Sequence, residues 1–175
     1  MKPFIGIKNI WYGDPITEAM TASKLKTWLE TATKVKNAHQ DSWSYTQDDP
    51  STTDYINELT GKPYHRDVTG AGNKTIAFTL GVYNFEDRVE LIGGKLVEDG
   101  AGWASPDETN LVYKAVVGQT KTGNYIIFTN AGIVAKTNTV EKNLGLGVTA
   151  VAMDNENEGV ADEYLFDGEK VDSAS

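Results

Sequence analysis

Apolar residues recur in this chain with two periods, and the changeovers fall at recognisable punctuation. From Thr21 to Thr33 the set Ala22, Leu25, Trp28, Leu29 and Ala32 lies at helical spacing, with Lys24, Lys26 and Glu30 on the opposite side. Thr21 stands at the N-cap position, where its hydroxyl can accept an otherwise unpaired amide. So narrow an apolar stripe predicts a helix laid on one side of a sheet. Asn84 caps a second, shorter helix predicted over Phe85–Ile92, with Glu86 and Asp87 favoured in its first turn and Gly93-Gly94 ending it.

Elsewhere the period is two. Phe4–Trp11 reads as a short strand closed by the turn Tyr12-Gly13-Asp14-Pro15. Val35–Thr46 alternates throughout, which predicts one long strand with a face of Lys36, Ala38, Gln40, Ser42, Ser44 and Thr46. Lys74–Tyr83 alternates with Ile76, Phe78, Leu80 and Val82 inward and Thr75, Ala77, Thr79 and Gly81 outward. Between these two, residues 47–61 hold Asp48, Asp49, Pro50, Asp54 and Glu58 and read as a long, mobile acidic loop, followed by a strand at Tyr64–Val68 and a hairpin turn at Gly70–Asn73. After Leu111 the pattern is all strand: Leu111–Gln119, Tyr125–Thr129, Ile133–Thr139, Leu144–Met153 and Tyr164–Phe166. The expected fold is mainly β, an antiparallel β-sandwich or barrel with one flanking α-helix and a second short one. At 175 residues it fits a single domain over 1–175.

Charge and composition narrow the chemistry. The net charge is −9, and residues 154–175 alone carry eight acids against one base, so the acidity is largely terminal. No basic stripe with interleaved aromatics appears, which disfavours tight nucleic-acid binding. There is no cysteine, which removes disulfides, thiolate nucleophiles and Cys-ligated zinc. The N-terminal run is too short for a signal peptide and no apolar run approaches the ~18 residues that span a bilayer, so a soluble chain is expected.

The motifs that invite chemistry fail on context. Gly70–Thr75 misplaces the glycines of a phosphate loop and precedes a strand, and Gly145–Ala150 matches a loose dinucleotide pattern inside a strand, with no helix to meet pyrophosphate. Asp154–Gly159 has acidic calcium-loop spacing, yet its twelfth position is Leu165, leaving a solvated turn as the reading. His39 and His65 lack partners at ligand spacing, and no convergent acid, base and nucleophile is evident, so no enzyme, metal or cofactor is expected. Trp28 and Trp43 fall at core positions. Trp11 and Trp103 flank turns and are candidate exposed anchors, which keeps a carbohydrate-binding sandwich as the alternative.

Taken together, the order of a short strand, Tyr12-Gly13-Asp14-Pro15, one helix, a long strand, the acidic excursion, Leu59-Thr60-Gly61-Lys62-Pro63-Tyr64, Thr75–Leu80 and the capped helix with its Gly-Gly resembles the major tail tube proteins of long-tailed bacteriophages and prophages. Gly147–Met153 followed by Tyr164-Leu165-Phe166-Asp167 is similar to the same family. The resemblance covers most of the chain as a pattern of elements. It implies a virion structural protein, made in the bacterial host cytoplasm, that self-assembles into stacked hexameric rings and meets other tail proteins. Genomic DNA would pass through without tight binding during ejection, and no membrane is involved. A tube component of a phage-derived injection machine is the neighbouring reading. In such a subunit Gln40, Ser42, Ser44, Thr75 and Thr79 are the expected channel lining, and Tyr55, Ile56 and Leu59 the expected contacts of a loop reaching the next ring.

Overall fold

The computed structural model describes residues 1–174 and is mainly β, with antiparallel sheets and three helices. The chain opens with β1 (Asn9–Gly13), α1 (Ala22–Thr31), β2 (Thr33–Lys34), β3 (Ser44–Gln47), β4 (Ser51–Asn57), β5 (Lys62–Gly70) and β6 (Lys74–Leu80). Then come α2 (Phe85–Leu91), the small hairpin β7 (Lys95–Val97) and β8 (Gly102–Ala104), and β9 (Val112–Gln119). It closes with β10 (Tyr125–Val140), β11 (Asn143–Ala152), β12 (Glu163–Phe166) and α3 (Gly168–Ser173).

One sheet carries the fold, in the order β2-β1-β9-β10-β11-β6-β3. β12 pairs with Tyr125–Phe128 of β10, on the edge that β11 occupies further along. The sheet is covered on two sides, and alternation sorts the side chains. Trp11, Ala115, Val117, Tyr125 and Ile127 face α1 and α3, where they meet Leu25, Met20 and Val171. Ile10, Tyr12, Val116, Ile126 and Phe128 face the other way, into a core shared with Ile76, Phe78, Leu80, Leu146, Val148 and Ala150. Two readings separate the sequence expectation from this sheet at β10. Tyr125–Thr129 and Ile133–Thr139 are one strand, and a register shift between Phe128 and Ala131 joins them. An inserted residue reverses the parity of alternation. That is how Ala131 and Ile133 enter the same core as Phe128.

The sheet also rolls. β3 lies three places from β10 in the hydrogen-bonded order, yet the Tyr45 and Phe128 rings are 6.1 Å apart. Trp43 stacks on Phe78 at 6.5 Å and reaches across to β9, where a Cβ on Gly118 would lie 2.6 Å from its ring. Glycine at 118 therefore makes room for the indole that closes the barrel-like, sandwich-like core.

Both expected helices form. Thr21 caps α1, accepting from the Lys24 amide, and Asn84 and Asp87 exchange hydrogen bonds in a capping box on α2. The other Asp87 oxygen accepts from Tyr12 Oη at 2.7 Å, tying that cap to β1. Gly93 and Gly94 both have left-handed φ, as the helix-ending role requires. Arg88 is buried under α2 without a carboxylate: its guanidinium lies 4.2 Å over the Trp103 ring, and it donates to Tyr83 Oη and Thr137 Oγ1. That contact holds β7–β8, which has no counterpart among the sequence-predicted strands. α3 was also unexpected.

Four expectations need correction. The first strand starts at Asn9, and Tyr12 and Gly13 belong to it, although Lys8 N to Gln119 O and Lys121 N to Ile5 O keep the preceding residues alongside β9. Val35–Thr46 is not a strand: it bridges at Ala38–Leu80, turns at His39–Ser42 with Asp41 at φ 58°, and pairs only from Ser44. Residues 47–61 are not a loop, since most of them build β4 and its turn. Gly70–Asn73 joins β5 to β6 as an elbow and makes no hairpin between them.

Gly118→Ala should overpack the contact with Trp43 and lower stability by about 1–3 kcal/mol, read as a reduced urea midpoint at unchanged slope with Trp fluorescence as probe.

Candidate functional site

β4 and β5 pair only with each other and project from the sheet as an arm. Seven strand residues at about 3.3 Å each carry it roughly 23 Å outward. No residue of the arm is buried, and its apolar side chains have no cover: Leu59 is 95% exposed, Tyr64 70% and Val68 69%, with Tyr55 and Ile56 also open. An isolated two-stranded ribbon is marginal in water. Polar pairing holds this one together, through a two-pronged Arg66–Asp54 bridge at 2.5 and 2.8 Å, His65 Nε2 to Asp67 at 2.8 Å, and Tyr55 against the His65 ring. The Arg66 hydrogen bond holds the Asp54 carboxyl below its ordinary pKa. At the tip, Asn57 O accepts from Thr60 and Gly61, and Gly61 takes φ +66°.

The arm continues the β3–β6 hairpin after a break. Gln47 pairs with Lys74, Asp48 N donates to Asn73 O, and pairing resumes at Ser51 with Gly70. Gly72 has φ +76°, and a Cβ there would lie 2.1 Å from the Asp48 carbonyl, so only glycine fits this elbow. Immediately behind it is a clamp. Lys74 Nζ meets Glu163 Oε2 at 2.8 Å and Asp162 Oδ2 at 3.5 Å, and Tyr45 Oη donates to Glu163 Oε1 at 2.8 Å. The Glu163 hydrogen bond raises the Lys74 pKa against an opposing desolvation, while burial first and Glu163 second push the Tyr45 phenol up. β12 thereby fixes the root of the arm.

The polar face expected from the sequence exists in part. Ser44 stands opposite Ala77, Thr46 opposite Thr75, and β11 adds Thr149 beside Ala77 and Gly147 beside Thr79. Ser44 is exposed and Thr75 half-buried. Thr79 shares that face but is only 7% exposed. Ser42 has left the strand; its hydroxyl donates to His39 O at 2.7 Å and accepts from Thr79 N at 3.0 Å, so it braces β6. Gln40 lies in the turn and off the sheet. Thr46 and Ala77 lie on the polar faces read from the sequence, though outside the five residues expected to line a channel, while Gly147 and Thr149 were not placed there, although alternation in β11 carries them.

The remaining candidates resolve simply. Trp11 is 9% exposed, packed toward Tyr125 with Lys34 Nζ 5.5 Å above its ring, and Trp103 is half-buried beneath Arg88, so neither offers a free stacking platform. Trp28 and Trp43 pack against the two cores. The acidic turn after Asp154 is held by Asn155, whose amide donates to Ile16 O and Thr129 Oγ1. Among the described residues no group of three or more metal-binding side chains assembles, and no helix is long and apolar enough to cross a membrane. No protein-family model matches the chain, and no curated protein matches it.

Because the folded Lys74 pKa is raised, its ion pair stabilises fully below the ordinary lysine pKa and is lost as pH rises through the folded value. Lys74→Met should therefore be less stable than wild type at neutral pH, with a gap that closes in strongly alkaline buffer, measured by urea unfolding across pH.

Proposed function

We propose that this protein is a tail tube subunit of a long-tailed bacteriophage or prophage, assembling into stacked, hexameric rings around a channel through which DNA passes. The observation that carries the reading is the arm. Exposed apolar residues on a ribbon that pairs with no other strand among the described residues are suited to a surface on another molecule, and a repeated copy supplies one in a stacked assembly. Tyr55, Ile56 and Leu59 lie on it, joined by Tyr64 and Val68.

The polar sheet face supports the same reading. A conduit for a polyanion works when its lining holds no phosphates, because every Lys or Arg contact adds salt-dependent affinity. Ser44, Thr46, Thr75, Ala77 and Thr149 are small and neutral, and they stand together on one side of β3, β6 and β11. Thr75 and Ser44 are therefore the lining residues retained, while Thr79, Ser42 and Gln40 serve the strand edge and turn.

Negative-stain imaging of concentrated protein should show rings or tubes. A variant in which residues 50–71 give way to an Asn-Gly turn should keep the wild-type melting transition and form none. Normal tubes from that variant would sink the assignment. Removing Ser51–Asn57 alone is a poorer experiment, because it orphans β5.

Ser44→Lys with Thr75→Lys should keep the fold, with exposed Ser44 costing within about 0.5 kcal/mol and half-buried Thr75 more, yet slow DNA ejection at low salt. Ejection that is unaffected at every ionic strength would remove this face from the channel. Thr79→Lys, by contrast, should lower the melting temperature, since its side chain is covered.

A further inference from the structure

The two ends of the main sheet carry opposite charge. At one end β2 pairs with Trp11 and Tyr12 of β1, and Val35 N just after it donates to Ile10 O. Residues 7–10 border an open cleft of about 590 Å³, closed on its far side by residues 34–38. Lys8, Lys34 and Lys36 line it, and among the described residues none of the three has a carboxylate within ion-pair distance. At the other end β3 is exposed at all four positions and runs into Asp48, Asp49 and Pro50, where the two aspartates likewise have no ion-pair partner among the described residues.

We propose that the acidic elbow of a second copy, residues 47–50, seats in this lysine-lined cleft, with Asp48 and Asp49 facing Lys8 and Lys36. The inference rests on the self-assembling reading above and names the surfaces that meet side by side. A chain of net charge −9 repels its copies at long range, so a contact between them needs local complementarity to choose an orientation. A two-fold contact at either surface would set lysine against lysine or aspartate against aspartate. Joining the unlike ends is heterologous, and such a contact closes into a ring or runs on as a helix. On the acidic side the backbone also favours a contact, because β3 pairs only with β6 among the described residues and leaves a free strand edge beside the aspartates. The other strongly acidic segment, 154–158, offers a turn pinned inward by Asn155 and is the competing occupant.

The experiment is a charge swap. Lys8→Glu with Lys36→Glu, and separately Asp48→Lys with Asp49→Lys, should each raise the concentration needed for assembly by at least about tenfold in sedimentation velocity, with unchanged far-UV circular dichroism. The fourfold variant carrying both swaps should assemble again. Wild-type assembly should weaken as salt is added. Assembly of either double variant at the wild-type concentration overturns the contact, and so does a folded fourfold variant that stays monomeric. Glu156→Lys with Glu158→Lys should assemble as wild type; if it is blocked, and rescued by the cleft reversal, the occupant is the other loop and the proposal falls. A wild-type protein that never assembles instead sinks the tube reading itself.

Discussion

Strand β10 constrains everything else in this molecule. Its sixteen residues have β9 along one edge and, in succession, β12 and β11 along the other, so most of its backbone is paired by three different strands. Tyr125–Phe128 is buried on both faces, which spares no polar position and demands an unbroken apolar run. The shift before Ala131 then turns the strand's parity over, and the second half presents one face to the core and one to solvent. Thr129 fills the irregularity by donating to Ala161 O and accepting from Asn155, so the acidic turn after β11 is fastened to the same point. The helices on one face, the rolled core on the other and the open polar face beyond β11 all follow from where that strand changes its pairing.

Rigidity is distributed unevenly as a consequence. The core side is interlocked by Tyr12, Asp87, Arg88 and Trp103, whereas the arm depends on surface pairs such as Arg66–Asp54, which contribute little alone. What anchors the arm lies at its root, where Lys74, Glu163 and Tyr45 join three strands. A ribbon with a firm base and an exposed apolar tip is suited to reach a surface at a defined distance, as the proposed stacked assembly would require. The clamp sits on β6, two residues past the glycine elbow, and residues 48–50 and 71–73 are what separates the β3–β6 pairing from the arm.

Most of the architecture was legible in the sequence, because helices and buried strands declare themselves by period. α1, α2, β9, β11 and β12 lie where alternation or helical spacing put them, within a residue or two, whereas β6 ends at Leu80, three residues before the expected Tyr83, and leaves Val82 exposed where it was expected inward. The failures share a physical cause. Val35–Thr46 alternates in composition, but its residues cross the open seam of the sheet, and without a neighbouring strand alternation cannot produce one; Ala38–Leu80 is its only bridge before Ser44. The arm was half legible: β5 lies where a strand was expected at Tyr64–Val68, but nothing in β4 is buried, so no period marked Ser51–Asn57 as its partner, and the cross-strand pairs Asp54–Arg66 and Tyr55–His65 follow from a register the sequence does not show. The candidate site inherited both errors. Leu59, Tyr55 and Ile56 were found because exposed apolar residues stand out in a polar stretch, while Tyr64 and Val68 were missed because they were assigned to the body.

The polar face and the acidic surplus can be placed in one argument. A sheet face that repels DNA strongly would oppose its entry, and one that attracts it would hold it; a face of hydroxyls, methyls and glycines does neither. Near Thr79 the strand edge is closed from within: Ser42 Oγ accepts from the Thr79 amide and His39 N donates to its carbonyl. Further along the same strand, β3 pairs with β6 and leaves its own far edge open, so the neutral face ends at an unpaired edge followed by Asp48 and Asp49. The chain thus exposes the polar face and the edge together. In the proposed tube a neighbour covering that edge would bury the aspartates against cations, and the neutrality would belong to the β3, β6 and β11 part of the face alone, since Lys136 of β10 stands opposite Gly147 on the same side.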